Sequence, residues 1–110
     1  PGGMVDAGES HAVTAARELL EETGYAPREM IFLGKSRPNP AIQNNWIYHY
    51  LALDCELKEE TKFDEHESIT IKLVPLADIP QLITGGAITH SLVIAAFAMF
   101  NLKTNETQRI

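Results

Sequence analysis

The sequence predicts an α/β domain, because segments with helical and with strand periodicity follow one another within 110 residues. Residues 12–22 and 89–102 have the apolar spacing of helices, and residues 46–53 and 69–73 alternate as strands do. A chain of this length fits one domain and leaves no room for a second. With 45% hydrophobic residues it can form a core, so residues 1–110 are expected to be a single domain.

The helix over residues 12–22 has the clearest boundaries. Ser10 suits its N-cap, Gly24 suits its C-terminal stop, and Pro27 prevents a restart nearby. The apolar stripe of this helix consists of Val13, Ala16 and Leu20.

The other elements are predicted from shorter patterns. Residues 30–33 form a short β-like run, and residues 76–83 suit a short helix if Pro80 lies in its first turn. The helix over residues 89–102 is so strongly apolar that we expect it to be buried.

Charge and composition exclude several functional classes. The net charge is −6 and there is no basic run, which argues against nucleic-acid and membrane-surface partners. The longest apolar stretch, residues 92–100, is too short to span a bilayer. Cys55 is the sole cysteine, so no disulfide can form within the chain. Residues 1–9 lack the pattern of a signal peptide, and a cytoplasmic location is expected.

Three acidic residues of the first helix call for a chemical explanation. Glu18, Glu21 and Glu22 are spaced at i, i+3 and i+4, so their carboxylates crowd one patch in the last turns, where the helix dipole also disfavours negative charge. A divalent cation would reverse these unfavourable terms, and hard oxygen ligands suit magnesium or manganese. The alternative is a solvated acidic helix face.

The residues around these glutamates favour the metal interpretation. The stretch GGMVDAGESHAVTAARELLEETGY resembles the Nudix box, G-x5-E-x7-R-E-U-x-E-E-x-G-U, where U is a bulky apolar residue. Every fixed position matches, and Tyr25 is a minor departure in a usually aliphatic position. The resemblance implies a Nudix-type α/β/α sandwich with a mixed β-sheet.

The resemblance also implies a site for Mg²⁺, with Mn²⁺ as an alternative ion. The ligands that it implies on this stretch are Glu18, Glu21, Glu22 and the backbone carbonyl of Gly2. Arg17 and Glu21 are then expected to be catalytic. Arg17 would orient the carboxylates, since it can reach Glu21 four residues on and Glu9 in the preceding loop.

A general base is expected in the acidic segment of residues 63–67. By resemblance to the ADP-ribose pyrophosphatase branch, Glu65 would be the base and Glu67 an additional metal ligand. The alternative is a solvated charge run, and not all Nudix branches take their base from this segment.

The substrate is expected to be a small nucleotide. Pro40 lies fifteen positions beyond Tyr25, a spacing associated with Nudix enzymes acting on ADP-ribose, and Trp46 could stack on a base. Pro40 could equally shape a loop, and Trp46 could be core. The implied function is hydrolysis of ADP-ribose or a similar nucleotide sugar. The alternatives are a housecleaning pyrophosphatase for nucleoside triphosphates and a catalytically silent nucleotide-binding module.

The position of the motif yields two further expectations. A Nudix fold normally has strands ahead of the box, whereas here the box begins at Gly3, so the N-terminal strands are expected to be missing. The apolar strand and helix would then need a cover. We expect either additional N-terminal residues in the natural protein or a homodimer, which is common in this branch.

Overall fold

A computed structural model describes residues 1–58 and 69–108, with side chains up to residue 105. The elements in chain order are helix α1 (His11–Thr23), strands β1 (Tyr25–Ala26), β2 (Glu29–Ser36), β3 (Ile47–Leu53) and β4 (Glu56–Leu57), a 3₁₀ turn (Leu76–Asp78), and helices α2 (Ile79–Thr84) and α3 (Ser91–Gln108). The predicted combination of helices and strands is confirmed.

The described strands form two two-stranded sheets. In the first, β1 pairs with β4 in antiparallel register, Tyr25 opposite Leu57 and Ala26 opposite Glu56. In the second, β2 pairs with β3. The chain divides into two compact units, the first consisting of Pro1–Phe32 with Tyr50–Ile71 and the second of Leu33–His49 with Lys72–Ile110.

Local hydrogen bonds at its two ends define helix α1. The Ser10 hydroxyl accepts a hydrogen bond from the Val13 amide at 3.2 Å, which satisfies one of the free donors of the first turn. At the other end Gly24 adopts φ of 79°, and its amide donates to the Leu20 carbonyl at 2.8 Å. The predicted boundaries are therefore confirmed to within one residue.

Three other predicted elements are confirmed with shifted ends. Strand β3 begins one residue after Trp46, and β2 extends on both sides of the predicted run over residues 30–33. Helix α2 holds Pro80 in its first turn, where the missing N–H costs no helical hydrogen bond.

Two predictions about apolar segments are wrong. Residues 69–73 alternate as a strand does but are not in one, and Ile69, Ile71 and Leu73 are exposed. A strand needs a neighbouring strand for its ladder, and within the described ranges none pairs with this segment. Helix α3 was expected to be buried, yet none of its described side chains is, and Leu102 is exposed.

The core of the described residues is small. Ile79 is the buried hydrophobic residue among them, and Thr14 and His49 are the buried polar ones. The Nε2 atom of His49 lies 2.9 Å from the Ser36 hydroxyl, and burial lowers the pKa of His49, which favours the neutral ring. Large apolar side chains stay exposed, among them Leu73 at 75% and Leu76 at 63%. Such exposure is consistent with association, and the homodimer stays a prediction.

No helix in the described part of the chain is long and apolar enough to cross a membrane.

Candidate active site

Arg17 lies at the centre of the acidic motif. Its Nε donates to Oε2 of Glu9 at 2.9 Å and its Nη2 to Oε1 of the same carboxylate at 3.0 Å. This two-pronged pairing is the strong form of the arginine–carboxylate interaction, because both charge and direction are matched. The loop ahead of α1 closes over the same guanidinium, through the Met4 carbonyl at 3.5 Å and the Asp6 carboxylate at 3.4 Å.

Glu9 is held by two elements of the structure. Besides the pairing with Arg17, its Oε1 accepts a hydrogen bond from the hydroxyl of buried Thr14 at 2.6 Å. The hydrogen bonds from Arg17, and then from Thr14, lower the pKa of Glu9 to about 2. The same pairing raises the pKa of Arg17. Glu9 is therefore a fixed anion that keeps Arg17 in place.

Arg17 also directs two of the predicted metal ligands. Its Nη1 donates to Oε1 of Glu18 at 3.0 Å and to both oxygens of Glu21, at 3.3 and 3.2 Å. The contacts that the sequence predicted from Arg17 to Glu9 and Glu21 are thus present. A single guanidinium group holds a loop carboxylate and two helix carboxylates, and this arrangement fits the orienting role expected of Arg17.

Glu18 and Glu22 are neighbours one helical turn apart. The pKa of Glu22 is raised, chiefly by partial burial and further by the adjacent Glu18 carboxylate, while a hydrogen bond from the Gly2 amide acts in the opposite direction. Gly3 lies directly against Glu18, because a Cβ added at Gly3 would overlap the Glu18 carboxylate group. The first residues of the chain therefore pack on the carboxylates of the helix.

The donor set of this face suits a hard divalent cation. Two adjacent carboxylates repel each other, which makes the charged form of each less favourable. A cation between them would replace this repulsion with attraction. Within residues 1–58 and 69–108, no three His, Cys, Asp or Glu side chains are already gathered as a metal-binding group. Glu21 faces Arg17 instead, so ion binding would require these side chains to rearrange. The Gly2 carbonyl and the three glutamates remain a predicted ligand set.

The predicted base lies outside the described residues. Glu65 and Glu67 both fall in the segment of residues 59–68, so their roles stay predictions.

The two predicted substrate contacts lie in the second unit. Pro40 is exposed in a turn closed by the Asn39 carbonyl, which accepts hydrogen bonds from the amides of Ile42 and Gln43 at 3.2 and 2.8 Å. Trp46 is 40% exposed, which argues against the core alternative. Lys35 and Arg37 lie over its indole ring, with Nζ at 4.4 Å and Cζ at 4.1 Å from the centroid.

Thr14 is the site residue that sequence reasoning missed. It occupies a position where the motif admits any residue, and its spacing on α1 gives no sign of a polar role. The sequence contains one weak signal for the role of Thr14: a threonine that lies among alanines on the inner side of a helix needs a hydrogen-bond partner when it is buried.

Comparison with known proteins identifies the family of this chain. The family model described as NUDIX domain matches residues 1–97, so the chain belongs to the Nudix family. A solved structure described as an ADP compounds hydrolase superposes with a TM-score of 0.83 at 25% identity, covering 98% of this chain and 58% of that one. The predicted fold class is confirmed by this match.

Two curated relatives have similar coverage. The CMP-5'-(N-acetyl-N-hydroxy-3-aminopropyl)phosphonate hydrolase of Streptomyces rubellomurinus is 32% identical, over 93% of this chain and 50% of the relative. The ADP-ribose pyrophosphatase of Bacillus subtilis is 28% identical, over 94% of this chain and 56% of the relative. The chain thus spans about half the length of these relatives.

The depressed pKa of Glu9 predicts a pH-dependent stability. Its pKa falls from an ordinary 4.5 to about 2 on folding, so between these values the unfolded chain binds more protons. The stabilisation is present above pH 4.5 and is lost as the pH falls towards about 2. We expect the melting temperature of the wild-type protein to fall more steeply over this window than that of Glu9→Gln. Glu29→Gln, at an exposed position of β2, should follow the wild-type curve. Equal slopes for Glu9→Gln and wild type would contradict the assignment.

Proposed function

We propose that this protein hydrolyses the diphosphate bond of a nucleoside diphosphate linked to another group, using Mg²⁺ or Mn²⁺. The observation that carries the proposal is the Arg17 network, which fixes Glu18 and Glu21 beside Glu22 on one side of α1. A solvated acidic surface would not need a guanidinium anchored by a second carboxylate and a buried threonine.

A bound metal ion would offset the repulsion between the carboxylates of α1 and the negatively charged diphosphate. When bound, a divalent ion supplies positive charge against the diphosphate and increases the acidity of the attacking water. Glu18, Glu21, Glu22 and the Gly2 carbonyl would hold it. Arg17 keeps the Glu18 and Glu21 carboxylates on this side of α1, from which they would turn towards the ion when it binds.

A separate carboxylate is proposed to take the proton of the attacking water. By resemblance to the ADP-ribose pyrophosphatase branch this base is Glu65, and Glu67 adds a ligand to the metal site. Glu9, in the loop ahead of α1, is poorly suited to be this base, because its carboxylate is already engaged by Arg17 and Thr14.

ADP-ribose, or a similar nucleotide sugar, is the leading candidate substrate. Support comes from the name of the Bacillus subtilis relative and from that of the superposed ADP compounds hydrolase. The relative that hydrolyses a CMP phosphonate shows a different nucleotide within the same family. Turnover of a panel of nucleoside diphosphate sugars and nucleoside triphosphates, with and without Mg²⁺, would decide among these substrates. Absence of any turnover would favour the silent binding module.

Charge-neutral substitutions on α1 test the metal site. Glu21→Gln and Glu22→Gln should each greatly reduce turnover, because each removes a proposed ligand charge. Stability should change by no more than about 0.5 kcal/mol, since Glu21 forms an exposed pair and Glu22 is repelled by Glu18. Steady-state kinetics and thermal melts provide the two readouts, with Glu29→Gln as the matched control. Full activity in either variant would rule out its role as a metal ligand.

The two acids outside the described residues should give different phenotypes. Glu65→Gln should lower kcat by about 10²–10⁴-fold and leave metal affinity nearly intact, because a base acts on the proton of the water. Glu67→Gln should weaken metal binding, measured by calorimetric titration with Mn²⁺. Wild-type rates in both variants would mean that the base lies elsewhere.

Adjacent glycines offer a matched test of how the chain start positions Glu18. Gly3→Ala should weaken Mn²⁺ binding by about 10–100-fold, because the added methyl group displaces the Glu18 carboxylate. Its melting temperature should change little, since the displaced group is the end of a flexible side chain. Gly2→Ala should bind Mn²⁺ normally, because nothing lies within 4 Å of its added carbon. Equal affinities for the two variants would show that Gly3 does not position Glu18.

A further inference from the structure

Lys35, Arg37 and Trp46 form a cationic surface cluster in the second unit, which we call the cation–indole cluster. The Lys35 Nζ lies 4.4 Å and the Arg37 Cζ 4.1 Å from the centroid of the same ring. The two positive charges are therefore within about one Debye length of each other, ~8 Å at physiological ionic strength. The negative face of the indole ring offsets part of their repulsion.

In the described part of the chain, no carboxylate pairs with either cation of the cluster. Residues 30–53 contain no Asp or Glu, although the chain as a whole has a net charge of −6. A local excess of positive charge in an acidic protein is suited to an anionic ligand.

The donors of the cluster are held in place and only partly used. Arg37 donates from Nη1 to Oδ1 of Asn44 at 2.9 Å, which fixes the guanidinium against the ring. Its other N–H groups have no acceptor among the described residues. Lys35 has three N–H donors on an exposed strand position. A ligand with several acceptor oxygens and about two negative charges would match both cations.

We propose that the cation–indole cluster binds the phosphate or diphosphate group of a small molecule. Two positive side chains beside one aromatic ring suit a compact dianion better than a single carboxylate, which carries one charge. Binding here requires no metal ion and no hydrolysis, so it stands apart from the proposed function of the carboxylate face on α1.

Trp46 provides the measurement, because it is the only tryptophan in the chain. The metal-free protein would be titrated with inorganic phosphate, methylenediphosphonate and AMP while NaCl keeps the ionic strength constant. We expect a saturable change in Trp46 emission with at least one of them. Tighter binding of AMP would identify a nucleotide phosphate as the preferred ligand, and equal binding would identify the phosphate group alone.

The variants separate this cluster from general electrostatics. The double variant Lys35→Gln with Arg37→Gln should bind at least about tenfold more weakly, equivalent to about 1.4 kcal/mol. Calorimetry should accompany the fluorescence, since it reports binding without relying on the surroundings of Trp46. Arg28→Gln with Lys72→Gln makes the same change in net charge and should keep wild-type affinity.

Three results would overturn the proposal: no saturable binding, equal affinity of the two double variants, or a response reproduced by NaCl. Glu22→Gln should bind the anions as wild type does in the absence of metal. Glu22→Gln should lose hydrolysis but keep anion binding. The Lys35 and Arg37 double variant should lose anion binding but keep hydrolysis. The failure of one site can therefore be distinguished from the failure of the other.

Discussion

The two-pronged pairing of Arg17 with Glu9 is the interaction on which the acidic motif depends. It joins a loop residue to the middle of α1 and leaves Nη1 directed towards Glu18 and Glu21. Without that fixed cation, the carboxylates of the last turns would face both their mutual repulsion and the negative end of the helix dipole. Thr14 donates a further hydrogen bond from within the helix to Oε1 of Glu9, so the Glu9 carboxylate is held by Thr14 as well as by Arg17.

The acids of one short motif thereby acquire different tasks. The pKa of Glu9 is lowered by its hydrogen bonds, whereas the pKa of Glu22 is raised by burial and by Glu18. A carboxylate whose charge is already satisfied has little to gain from a metal ion, whereas one that is disfavoured as an anion has much to gain. This opposite direction of the two shifts distinguishes the structural acid Glu9 from the proposed ligand Glu22, although both are glutamates at fixed positions of the motif.

How much the sequence could predict depended on the range of the interactions involved. Helix α1 was predicted nearly to the residue, because Ser10 and Gly24 act through hydrogen bonds within one turn. Residues 69–73 were predicted as a strand from alternation alone. A strand, however, forms only where a neighbouring strand provides partners for its backbone hydrogen bonds. The same limit applies to α3, whose apolar composition predicts burial without specifying what would cover it.

The sequence predicted those residues of the candidate site that belong to the motif. Spacing alone brought Glu18, Glu21, Glu22 and Arg17 together, and the contacts of Arg17 with Glu9 and Glu21 followed. Thr14 and the cation–indole cluster were not found in the sequence, for different physical reasons. The role of Thr14 depends on burial, whereas Lys35 on β2 meets Trp46, one residue ahead of β3, because β2 and β3 pair.

An acidic protein can bind a phosphate only where its charge is reversed locally, and the two proposed sites differ in how they would do so. On α1 the carboxylates would need a divalent ion before an anion could approach, so affinity there would depend on metal. Over Leu33–His49 the reversal is intrinsic, because acids are absent and two cations share one aromatic ring. The first means couples binding to the chemistry that a metal supplies. The second would provide affinity alone, so an anion could bind there whether or not a metal ion is present.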